Sequence, residues 1–77
     1  MKKFVVKAFW DSEAEVWVAT SDDVPGLATE SETIDGLVEK LKVMVPELLD
    51  ANGIPDGDEV PISLLNECTF FAHRQAA

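Results

Sequence analysis

Asp11, Asp22, Asp23 and Glu30 fall where the apolar alternation of the chain breaks. Carboxylates gathered at strand ends can hold Mg²⁺ for phosphodiester cleavage, provided that they converge over the centre of a sheet. These four fall in expected loops, so catalysis is not expected. The other reactive side chains are sparse. His73 has no second histidine and no cysteine close by in the chain, so there is no ligand set for a transition metal. Ser12, Ser21, Ser31 and Ser63 lack a motif that would set a base beside them, and His73 sits too near the end to serve as one. The single cysteine, Cys68, excludes an internal disulfide, fits a reducing compartment and reads as an inert, buried thiol. The run Asp50 to Pro55 opens like a calcium loop, but Ile54 stands at the fifth ligand position and Pro55 at the obligatory glycine. No glycine-rich nucleotide loop occurs, and the basic residues are too few and too scattered to track phosphates. The chain is therefore expected to be non-enzymatic, with no metal and no cofactor, and to act through a binding surface.

The elements that carry that surface follow from periodicity. From Lys3 to Trp10, residues Phe4, Val6, Ala8 and Trp10 lie on one face of a strand and Val5, Lys7 and Phe9 on the other. Both faces are substantially apolar. Asp11 to Glu15 is the polar connection of a hairpin with four or five loop residues, and Val16 to Thr20 returns antiparallel. Trp10 and Trp17 lie near the hairpin end; they could stack a ligand, but a cross-strand pair that stabilises the sheet is the preferred reading. The stretch Ser21 to Thr33, SDDVPGLATESET, then joins strands to helix. Pro25 pre-sets φ for the second position of a turn, Gly26 accepts positive φ at the third, and Asp22 and Asp23 suit the approach, which suggests a type II turn. Leu27 to Glu30 makes a short third strand, and Thr33 is placed as a helix N-cap.

Ile34, Leu37, Val38, Leu41, Met44, Val45, Leu48 and Leu49 draw an apolar stripe down one side of that helix. Gly36 weakens its first turn, and Pro46 predicts a kink, or a stop and restart. Asn52-Gly53 supplies a left-handed exit and Pro55-Asp56-Gly57-Asp58 a loop. Val60 to Ala72 is read mainly as a strand, although periodicity leaves Ile62 to Cys68 equally open to one or two helical turns. His73 to Ala77 reads as a frayed tail. The expected fold is α+β in the order β-β-β-α-β, an antiparallel sheet with one helix on a face. Ile34, Leu37, Leu41, Val45 and Leu48 are expected to pack on Phe4, Val6, Ala8 and Val18.

With 77 residues there is room for one domain, near the size where a single core barely offsets chain entropy, so self-association is expected. Fifteen acidic against six basic residues give a net charge of -9, which repels nucleic acid and favours cationic partners, though it also simply keeps a small protein soluble. No apolar run is long enough to span a membrane and none follows the N-terminus as in a signal peptide, so a cytoplasmic location is expected.

The run WVATSDDVPGL, Trp17 to Leu27, followed by TESETIDGL, resembles the HicB-like superfamily. Its members read aromatic-Val-Ala, then Asp-Leu-Pro-Gly, then Thr-Leu-Glu-Glu before an amphipathic helix. The longer run AFWDSEAEVWVATSDDVPGL is most similar to a small stand-alone branch of it. The resemblance implies a partial ribonuclease H-like fold, while the structural role expected of Asp22, Asp23, Pro25, Gly26 and Thr33 rests on the turn and cap chemistry above. The resemblance also implies a partner: HicB antitoxins bind and block HicA-type toxins, small basic mRNA-cleaving proteins. Full antitoxins usually continue into a DNA-binding module, for which residues 1–77 leave no room, so a single domain without operator binding is expected. A stand-alone oligomeric structural or regulatory module is the other reading.

Overall fold

The longest strand, β1 (Phe4–Asp11), sits inside the sheet with a strand on either side; Phe4, Val6 and Ala8 on one face are buried, while Phe9 on the other is 43% exposed. The computed structural model describes residues 3–55 and 59–74. β2 (Val16–Thr20) returns antiparallel to β1, and β3 (Ala28–Ser31) is antiparallel to β2. The helix α1 (Ile34–Ala51) follows, and then β4 (Ile62–Glu67), giving the strand order β3-β2-β1-β4. The fold is α+β in the order β-β-β-α-β, as expected. The last pairing, however, is parallel: β4 joins β1 with Phe4 opposite Ile62 and Phe9 opposite Glu67, so the sheet is mixed and not wholly antiparallel. The cause is the crossover. Since β3 runs parallel to β1 and α1 carries the chain back along the sheet, the next strand restarts in the direction of β1.

One face of the sheet is covered by α1. Phe4, Val6 and Ala8 of β1 and Ala19 of β2 meet Leu37, Leu41, Val45 and Leu49, all buried. Val24 and Leu27 close the same core, and each fully buried aliphatic side chain contributes about 1.5–3 kcal/mol relative to an exposed one. One packing expectation needs correction. Val18 pairs with Phe9 and lies on the uncovered face, while Ala19, opposite Ala8, takes its place in the core. Ile34 and Leu48 pack against the core as expected, though only half-buried, and Leu49 is the fully buried residue at that end of the helix.

Thr33 caps α1 as expected, its backbone extended and its Oγ1 accepting from the Gly36 N–H at 3.0 Å. The helix is continuous through Pro46 instead of stopping there. Val45 and Leu49, buried on either side of Pro46, outweigh the one backbone bond it forgoes. At the other end Gly53, φ 66°, takes the left-handed position, with its N–H on Asp50 O at 3.1 Å and that of Ile54 on Leu49 O at 2.9 Å. The loop expected at Pro55-Asp56-Gly57-Asp58 lies, beyond Pro55, outside the described residues, as does the tail expected at His73 to Ala77 beyond Arg74. The strand expected over Val60 to Ala72 is realised only at Ile62–Glu67.

Candidate functional site

The four carboxylates do not converge. Asp11 closes the hairpin, its Oδ1 accepting from Glu13 N at 3.1 Å and Ala14 N at 3.2 Å, while Glu15 takes a left-handed φ of 58°. Asp23 sits toward the opposite end of β1, where its Oδ2 accepts from Val5 N at 2.7 Å. Glu30 lies in β3, within the third strand expected, and Asp22 is exposed. Among the described residues no cluster of three or more His, Cys, Asp or Glu is placed to hold a metal ion.

The Pro-Gly stretch is structural in every bond it makes. Gly26 has φ 84° and Leu27 N donates to Val24 O at 3.2 Å, as the third position and closing bond of a type II turn require. Buried Val24 and Leu27 pin the two ends of the turn, and Asn52 Nδ2 donates to Pro25 O at 3.3 Å, tying it to the end of α1. Ser21 Oγ donates to Val5 O at 2.5 Å and accepts from Asp23 N and Val24 N at 3.1 and 3.2 Å. Of the residues marked in the sequence, Asp23, Pro25, Gly26 and Thr33 thus shape the chain. Trp10 and Trp17 are direct cross-strand neighbours with ring centroids 5.5 Å apart at 62°, and Trp17 packs against the core. Cys68 departs from expectation: it lies just past the end of β4 and is exposed, not buried.

What the strands position instead is the sheet face opposite α1. Paired residues share a face, so one row across it reads Glu30, Val18, Phe9, Glu67 and the next Ala28, Thr20, Lys7, Leu65. Phe9 is 43% exposed and Leu65 52% exposed. An open groove, lined in part by Lys7, Phe9, Leu65, Glu67 and Phe71, runs from this face to where the chain leaves β4. The arrangement offers an apolar centre with a carboxylate at either end of its row, suited to contact with a cationic surface that carries its own apolar residues. The two-sided alternation of β1 points to this face. The places of Glu30, Leu65 and Glu67 on it depend on strand order, which local pattern does not carry.

No helix among the described residues is long and apolar enough to cross a membrane. A family model described as a domain of unknown function (DUF1902) matches residues 3–73. The chain is similar to the crystal structure of a hypothetical protein from the extremely thermophilic bacterium Thermus thermophilus, with 52% sequence identity and a TM-score of 0.72 over 95% of this chain and 100% of that one. No curated protein matches it. A family match over nearly the whole length, with a solved relative at that identity, makes the chain a member of the DUF1902 family of domains of unknown function.

Proposed function

We propose that this domain is a non-enzymatic protein-binding module of the HicB-like type, an antitoxin that covers the basic active face of a small mRNA-cleaving toxin in the cytoplasm. The observation that carries the reading is the sheet face opposite α1, where Phe9 and Val18 lie between Glu30 and Glu67 on a chain of net charge -9. An RNA-cleaving protein exposes basic residues to hold phosphates, and an acidic surface with an apolar centre opposes both its charge and its substrate. The run from Trp17 to Leu27 and the Thr33-capped helix support the superfamily assignment. The test is co-expression with the product of a neighbouring gene for a small basic protein. The two should co-purify, and the RNA cleavage of that protein should be suppressed. Cleavage untouched at high excess of this domain rejects the inhibitor role.

The second reading, a stand-alone homo-oligomeric module, is favoured by a different feature: β4 forms one edge of the sheet, and the residues beyond it carry Phe70 and Phe71, 80% and 86% exposed. The edge and the face adjoin, since Leu65, Glu67 and Phe71 line the groove of the open face.

A further inference from the structure

We infer that β4 and the segment that follows it form a self-pairing edge, through which two copies of this chain join antiparallel into one continuous sheet. The inference rests on the self-association proposed above and assigns it to particular residues. Of the two sheet edges, the β3 side is short and blunted, with Lys40 Nζ donating to Glu30 O at 2.5 Å. The β4 side is not. Residues 68–74 continue from β4 without a turn or bend, and the longest dimension of the molecule is 59 Å, about twice the length of an eight-residue strand at roughly 3.3 Å per residue. An open, outstretched edge with a large apolar residue on each face is what strand pairing covers.

Charge selects a second copy as the occupant of this edge. Although the chain carries -9 overall, Val60 to Arg74 contains one acidic residue, Glu67, and one arginine, so two such segments approach without net repulsion. Alternation sets the register. Leu65, Glu67 and Phe71 share the groove on the uncovered face, and Phe70 falls on the other. A two-fold axis through Cys68 places Leu65 of each copy opposite Phe71 of the other and Asn66 opposite Phe70, while Glu67 meets Thr69 and not a second Glu67. Each Phe ring buries about 150–250 Å², so four rings bring on the order of 700 Å². Leu65 and the strand backbones then carry the contact toward the roughly 1,000 Å² that a specific interface needs.

Sedimentation equilibrium of the full chain at micromolar concentration should give twice the monomer mass, and the double variant Phe70→Asp, Phe71→Asp should sediment as a monomer. Both rings are exposed in the single chain, so circular dichroism of the variant should remain that of the wild type. Mild oxidation reads the register, because residues on the axis have Cα atoms about 4.5–5.5 Å apart, within disulfide reach. Cys68 should give a covalent dimer in the wild type and none in the aspartate variant. A monomeric wild type overturns both this inference and the self-association it rests on. A dimer that survives the double substitution overturns this edge alone, and a dimer whose Cys68 does not cross-link overturns the register. None of these readouts involves a toxin, so each stands apart from the inhibitor role.

Discussion

Asp23 Oδ2 accepts the backbone N–H of Val5 at 2.7 Å, and this side chain takes over the sheet ladder where β2 has already ended. The β1–β2 pairing extends to Lys7 opposite Thr20. Beyond it Val5 has no strand backbone on that side, and its N–H goes to Asp23 while its carbonyl accepts from Ser21 Oγ. The loop before the Pro-Gly turn is thereby stitched to the central strand by two side chains. Asp23→Ala strands a partly buried donor and should cost about 1–3 kcal/mol in denaturant melts, with Asp23→Asn, which keeps an acceptor, costing less. Equal losses for the two variants would place the effect in the charge and not in the hydrogen bond.

Gly26→Val puts a β-branched residue at φ 84° and should destabilise the domain by about 1–3 kcal/mol, read as a lowered midpoint of thermal unfolding. The space near a Cβ is adequate, its nearest contact being Leu48 Cδ2 at 3.6 Å, so the cost is one of backbone conformation. An unchanged midpoint would remove the turn assignment.

Gly36 inverts the usual rule for helices. Gly→Ala inside a helix ordinarily gains up to about 1 kcal/mol. Here the new methyl group would collide with Ser31 Oγ and stand 3.0 Å from the capping Thr33 Oγ1. Gly36→Ala should therefore lower stability, and adding Ser31→Ala, which removes the obstructing hydroxyl, should recover part of the loss. A Gly36→Ala variant more stable than the wild type would show that the β3–α1 junction yields freely.

Leu41 is 2% exposed at the centre of the helix–sheet core, and Leu41→Ala should cost about 2–5 kcal/mol by equilibrium unfolding. A loss under about 0.5 kcal/mol would be that of a surface site.

Local chemistry makes much of this fold legible in the sequence alone. Pro25-Gly26, Thr33 and Asn52-Gly53 each fix a backbone conformation within a few residues, and each does so where expected. Long-range register is not legible. Val16-Trp17-Val18-Ala19 is apolar without alternation, so nothing in it separates Val18, on the open face, from Ala19, in the core. The parallel place of β4 comes from the return of the chain along α1, and the face opposite α1 is assembled from four strands at once. Cys68 reads as buried because free cysteines commonly are, but β4 ends one residue before it.

If opposite charge steers the partner onto this domain, the association rate should fall as salt rises, since exposed charges are screened over about 8 Å at physiological ionic strength. Stopped-flow mixing with the basic protein across a salt series reads this directly. A rate independent of salt would remove the acidic surface from the explanation.

Inhibition through the face opposite α1 is tested most directly by RNA cleavage: a small basic protein, if a neighbouring gene encodes one, is titrated with wild-type domain and with Phe9→Glu. The wild type should abolish cleavage near one equivalent. Phe9→Glu, at a position 43% exposed and outside the core, should fold normally and require a large excess. Cleavage unaffected by the wild type, or suppressed equally well by Phe9→Glu, would contradict the account.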